Sequence, residues 1–269
     1  MTTATTTDAS GVAPSPVRAP RPVKAARRAV LRAEFTLFRR EAGSLVAILL
    51  FPVALLVILG SIPAFRETDA GLGGIRLIDA YVPVTVLLAM IAGGIQSMPP
   101  ILTGYRERGI LRRMSTTPVR PSALLSAQMG IHGVAVLVSV ALCLTVGRTV
   151  FDVALPRQVA GYLVALALSV VCALALGALI ASRARTTKIS NAIGSVVFFP
   201  AMFCAGVWIP VQAMPSALAH IVEVTPFGAG AQALNQAMSG DWPAWTHLLV
   251  LAAWAVALSG AAARWFRWE

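Results

Sequence analysis

Apolar residues fall in six long runs separated by short polar segments: about Ser44 to Pro63, Tyr81 to Thr103, Leu124 to Gly147, Gln158 to Ser182, Ile189 to Gly206 and Trp245 to Ala263. Helix rises about 1.5 Å per residue, so each run is near the length needed to cross a hydrocarbon core of about 30 Å. The pattern predicts six transmembrane helices. The second run closes on Gln96-Ser97-Met98-Pro99-Pro100, and its two prolines predict a kink or break near one membrane face. The fifth loses regularity around Gly206 to Pro210.

Ahead of the first run, Val23 to Glu41 has helical periodicity. Leu31, Phe35 and Phe38 share one face, while Arg28, Arg32 and Arg39 line a neighbouring one. Glu34 interrupts this amphipathic scheme. The segment reads as a helix in the cytoplasmic headgroup layer, with a solvated basic leader as the alternative. Residues 1–22 are rich in Thr, Ala, Pro and Ser without periodicity, which predicts a disordered tail. They lack the apolar core of a secretory signal peptide. The chain thus divides into a tail over 1–22, a connecting helix over 23–42 and a six-span domain over 43–269.

Between the fifth and sixth runs, Pro210 to Gly240 is too polar to span and too apolar for an ordinary loop. Pro215 suits the first turn of a short helix with Leu218, Ile221 and Val222 on one face and Pro226 ending it. A second short helix would carry Ala231, Leu234 and Met238 and close at Gly240. Unpaired backbone cannot face lipid, so this stretch reads as an extracellular re-entrant hairpin packed against protein. Gly71, Gly73 and Gly74 mark a flexible turn between the first two spans. Trp242, Trp245, Trp265 and Trp268 are placed as interfacial anchors. No internal repeat supports an inverted-repeat transporter.

Charge sets the orientation. The chain is 57% hydrophobic and 12% charged, with a formal net charge of +11. Of its 22 Lys and Arg, 18 lie in the N-terminal segment, the loop from Arg106 to Arg120, the loop from Arg183 to Lys188 and the C-terminal tip; Arg66, Arg76, Arg148 and Arg157 are the exceptions. This is a positive-inside bias, and it predicts a multi-pass cell-membrane protein with both termini cytoplasmic. Its basic charge then faces anionic membrane lipids, not nucleic acid. Cys143, Cys172 and Cys204 sit in apolar runs without ligand-spaced neighbours, so neither a metal nor a disulfide framework is inferred.

The spans hold essentially no carboxylates or basic groups, which weakens a proton-coupled pump. His132, His220 and His247 are scattered, without the partners of a hydrolase or metal site. No G-x-x-x-x-G-K-[ST] loop is present, so nucleotide phosphates are not bound in that way. A membrane-embedded hydrolase or acyltransferase, and a passive scaffold, are the competing readings.

The most informative segment is Tyr105-Arg106-Glu107-Arg108-Gly109-Ile110-Leu111-Arg112-Arg113-Met114, continuing to Thr117-Pro118-Val119-Arg120. It predicts a short helix stopped before Pro118. Ile110, Leu111 and Met114 would form a small apolar face among charges, as in a docking helix whose apolar knob fills a partner's groove. From the residues alone, a partnerless positive-inside loop is equally consistent.

Glu107-Arg108-Gly109, Leu111-Arg112-Arg113-Met114 and Thr117-Pro118-Val119-Arg120 resemble the loop after the second span in membrane subunits of type-2 ATP-binding-cassette exporters. The likeness continues in Phe199-Pro200, Gly206-Val207-Trp208-Ile209-Pro210, Met214-Pro215 and Thr225-Pro226-Phe227. It implies an all-α polytopic membrane protein with six transmembrane helices, an N-terminal interfacial helix and an extracellular re-entrant hairpin marked by Gly206, Pro210, Pro215 and Pro226. It further implies that Tyr105 to Met114 couple to a separate ATPase subunit, that ATP and Mg bind there and not on this chain, and that a second membrane subunit, identical or different, completes the transporter. The expected function is export of an amphipathic or lipid-like substrate of the drug, antibiotic, lipid or glycan class. Gln96, Ser190 and Asn191 are candidate pathway residues, or packing contacts between helices.

Overall fold

The computed structural model describes residues 23–69, 74–114 and 121–265. The predicted disordered tail, Gly71 and Gly73, the Ser115 to Arg120 end of the basic loop and Trp268 lie outside the described residues. In chain order the α-helices among the described residues are α1 (Val23–Phe38), α2 (Ala42–Ser61), α3 (Leu77–Glu107), α4 (Ile110–Met114), α5 (Pro121–Phe151), α6 (Val159–Arg183), α7 (Thr187–Cys204), α8 (Ser216–Glu223), α9 (Pro226–Ser239) and α10 (Trp245–Trp265). Six of them, α2, α3, α5, α6, α7 and α10, are long and apolar enough to cross a membrane. An even number of spans puts Val23 and Trp265 on one side, called here the basic face.

α3 is the axle of the bundle. From Ala80 through Ile95 its residues are buried, and it packs on α2, α5, α6, α7 and α9. Of the kink or break expected at Pro99 and Pro100, the break does not occur. The helix widens into π-type turns over Ala92–Ser97 and resumes α geometry at Met98. A proline lacks its N–H and crowds the carbonyl four residues earlier, and wider turns upstream relieve both problems without ending the helix. The same device precedes Pro52, where Val46–Leu50 widens.

The closest approach in the core is between α3 and α6. A Cβ on Gly177 would fall on the carbonyl oxygen of Gly94, and one on Gly94 would fall on the carbonyl of Ala173. Backbone therefore touches backbone, as small residues allow between membrane helices.

At the face opposite the basic one, a two-residue β1 (Thr68–Asp69) pairs antiparallel with β2 (Ile75–Arg76). Arg76 grips both oxygens of Asp79 at 2.7 and 2.9 Å, and donates to the carbonyls of Phe151 and Asp152 at 3.2 and 3.1 Å. One guanidinium thus ties the start of α3 to the end of α5.

From the same face α8 and α9 enter the bundle as a hairpin. The Val224 carbonyl accepts from the Trp254 indole at 2.9 Å, and Trp254 lies nine residues inside α10, about 14 Å along its axis. Gly230 meets Ser169 and Leu87, each ten residues into its own span. The turn between the helices is satisfied internally, because the Thr225 hydroxyl donates to the Val222 carbonyl at 2.6 Å and accepts from the Gly228 N–H at 3.2 Å. Three details differ from the sequence expectation. Pro215 precedes α8 as its cap, and Pro226 opens α9 under the Thr225 cap instead of closing α8. Ile221 is 66% exposed while Val222 is buried, because adjacent helical positions diverge by about 100°. Gly240, at φ +110°, ends α9 in the left-handed region open to glycine.

The α3–α6 contact generates a prediction. Gly177→Val should lower the thermal midpoint of the purified chain in detergent, at a cost of at least the 1–3 kcal/mol typical of overpacking. Gly130→Ala, whose Cβ would meet nothing within 4 Å, should leave it unchanged.

Candidate functional site

At the basic face α3 ends among four other elements, and polar side chains fasten it to three of them. The first link runs to α1. Glu34, only 8% exposed, accepts on one carboxylate oxygen from the Tyr105 hydroxyl at 2.7 Å and from the Gln128 amide at 2.6 Å. One turn further, Phe38 makes an edge contact with His132, ring centroids 5.1 Å apart. Steps of four residues coincide on both helices, so α1 runs beside the first turns of α5, with Glu34 and Phe38 turned inward and Leu31, Phe35 and Leu37 exposed. Burial raises the pKa of Glu34, and the two donated hydrogen bonds oppose that rise without cancelling it.

The second link runs to the α6–α7 turn. Arg106 donates to the carbonyls of Ala181 and Ala184 at 2.9 and 2.6 Å. These lie at the C-terminal end of α6, where the helix dipole favours a cation. Beside it the Glu107 carboxylate accepts from the Thr187 hydroxyl. Thr187 is the first residue of α7, so the carboxylate also sits at a helix N-terminus, where negative charge is favoured. Thr186 caps that helix by accepting from the Ile189 N–H at 3.2 Å.

The chain then turns at Arg108 and Gly109. Arg108 folds back onto the Gly104 carbonyl at 3.2 Å, and Gly109 takes φ +64°, a conformation that strains residues with a side chain. The turn aims α4 across the ends of the spans. Leu111 is 1% exposed and packs with Met98, Leu102, Leu124, Leu174 and Ala178, and Ile110 is half-buried against the same cluster. For Leu111 this corrects the reading of an apolar knob offered outward: it anchors α4 to the bundle. Arg112 and Arg113 are on the exposed side. The side chain of Met114 lies outside the described residues.

The candidate pathway residues separate. Gln96 on α3 faces α7, its side-chain oxygen 3.2 Å from where a Cβ on Gly194 would lie. Ser190, one turn from Gly194, is buried, whereas Asn191 is exposed. The three do not form one lining. Of the residues that build the basic-face site, sequence reasoning missed the partners Gln128 and Thr187 and the role of Glu34, whose only sequence signal was that it broke an amphipathic face.

The model of the family described as ABC-2 type transporter matches residues 26–239, from α1 through α9. The chain belongs to the ABC-2 type transporter family. It is a transport subunit and not itself an enzyme, so the hydrolase and acyltransferase alternative is set aside. No curated protein matches the chain. In this ABC-2 type transporter the matched region includes every element of the basic-face site up to α7 and the whole inserted hairpin.

Two predictions follow from the site. Leu111→Ala should cost about 2–4 kcal/mol, as for other buried leucines, and Ile110→Ala clearly less, read as thermal midpoints. For Glu34 the folded pKa lies above the ordinary glutamate value of 4.5, so the folded state holds the proton more tightly than the unfolded chain. Its contribution is full below that value and is lost as pH rises through the folded pKa. The midpoint of the wild type should therefore fall with rising pH relative to Glu34→Gln, and parallel pH curves for the two proteins would contradict the assignment.

Proposed function

We propose that this chain is the membrane subunit of an ATP-driven exporter, with the basic face cytoplasmic and α4 presented to a separately encoded ATPase that carries ATP and Mg. The carrying observation is the architecture around α4. A five-residue helix is held to the bundle by Leu111, its stem is bonded to α1 through Tyr105 and to the α6–α7 turn through Arg106 and Glu107, and its arginines lie on the exposed side. A push on α4 then reaches α1, α5, α6 and α7 together, which is the arrangement needed to convert docking movement into a change of span packing. Glu107 acts within the chain, bracing the α4 stem against α7, and Arg112 and Arg113 supply the charge that orients the ATPase.

A second membrane subunit, identical or different, completes the pathway, because the exposed apolar faces of α2 and α7 leave each of these spans mostly uncovered by its own chain. The uncharged spans suit an amphipathic or lipid-like substrate moved outward, of the drug, antibiotic, lipid or glycan class.

The test is recovery of the tagged chain from native membranes after cross-linking. A soluble protein with a G-x-x-x-x-G-K-[ST] loop should co-purify in stoichiometric amount. Reversing both charges, Arg112→Glu with Arg113→Glu, should cut that recovery at least tenfold at physiological salt while membrane insertion stays at the wild-type level. Recovery of the chain with no such ATPase would sink the exporter reading; an ATPase retained fully by the double reversal would remove α4 as its docking element.

A further inference from the structure

Beside the Glu34 contact, an open groove of about 590 Å³ lies between α1, α2 and α5, with Phe38 among its lining residues. Leu31 and Phe35 form one wall, Leu45 and Leu49 a second, and Val134 and Val138 the third, with Arg32 and Arg39 on the α1 rim. Gly130, Val134 and Val138 also line it in steps of four, so the groove follows α5 for about 12 Å. It leads from the basic end of the bundle toward the membrane interior. Gly130 leaves a notch in its floor, since a Cβ there would meet nothing within 4 Å.

The walls present almost no polar atoms, yet the rim is cationic. The Arg39 guanidinium lies 6.0 Å from the centre of the Phe35 ring. Ion pairs among the described residues join Arg76 to Asp79 and Arg148 to Asp152, so among those residues no carboxylate pairs with Arg32 or Arg39.

We propose that this groove is a binding site for an anionic phospholipid of the leaflet at the basic face. One acyl chain lies along Leu49 and Val134, and the phosphate sits between Arg32 and Arg39. The chemistry selects this occupant. A peptide segment would bring N–H and C=O groups to walls that cannot satisfy them. An apolar helix of a second copy would cover the walls and leave two guanidiniums without counter-charge. A zwitterionic lipid supplies the acyl chain, but its ammonium offsets the phosphate. An anionic phospholipid answers both features, with charge-assisted hydrogen bonds at the rim and hydrocarbon in the groove. The proposal is independent of the exporter reading.

The experiment is lipid binding to the purified full chain, followed by native mass spectrometry with phosphatidylglycerol and phosphatidylcholine as the two probes. The wild type should retain phosphatidylglycerol preferentially. Arg32→Gln with Arg39→Gln should weaken phosphatidylglycerol about 30-fold, the effect expected for two basic residues at an anionic surface, and leave phosphatidylcholine unchanged. Gly130→Leu, which fills the notch with both arginines in place, should reduce retention of either lipid. Equal retention of the two lipids by the wild type, or undiminished phosphatidylglycerol in the double variant, overturns the proposal. So does efficient cross-linking of Val134→Cys between two copies in native membranes, which would make the groove a protein interface.

Discussion

Where α3 crosses α6, the carbonyl of Gly94 occupies the space in which a side chain on residue 177 would begin. Without that backbone contact the two most buried spans would stand a side chain further apart, and the elements placed by both would lose register. The same pair of helices, followed toward the basic face, brings Met98 and Leu102 against Leu174 and Ala178. It then brings Arg106 within reach of the last carbonyls of α6. Followed the other way, it forms the cleft in which Gly230 of α9 meets Leu87 and Ser169. Tight packing at one level thus fixes geometry at both ends of the bundle, since close-packed interiors transmit strain instead of absorbing it.

The polar groups that matter are correspondingly few and are placed at helix ends. Arg106 and Glu107, adjacent in sequence, complement the C-terminus of α6 and the N-terminus of α7 respectively. A single turn of α3 therefore matches both signs of helix dipole where the chain reverses. Glu34 is the exception, a carboxylate taken out of water in the middle of a helix and compensated by two neutral donors. Unpaired, such a group would be strongly destabilising, and its presence identifies α1 as part of the packed structure.

Much of this was legible in the residues. Lipid demands long apolar runs with internally bonded backbone, so the spans and the inserted stretch could be located from hydropathy, proline and glycine alone. What was not legible depended on partners far along the chain. Glu34 was visible as an anomaly, but Tyr105 and Gln128 lie 71 and 94 residues away. Leu111 sits in a charged loop where an apolar patch looks the same whether it faces a partner or its own chain; only the cluster built by α3, α5 and α6 decides the direction. At Pro99 and Pro100 the residues left a kink or a break open, and they do not tell that the helix widens ahead of the prolines instead of ending there.

The inserted hairpin also gives the bundle a cross-section that varies with depth. Toward the face remote from the basic one, α8 and α9 join the six spans, whereas toward the basic face α1 runs beside α5. At about 10 Å per helix, the hairpin enlarges the cross-section in one leaflet, as α1 does at the other face. A rearrangement that withdrew α8 and α9 would shrink its footprint in that leaflet alone. Such a movement would work against the lateral pressure of a single monolayer, leaving bilayer thickness almost untouched.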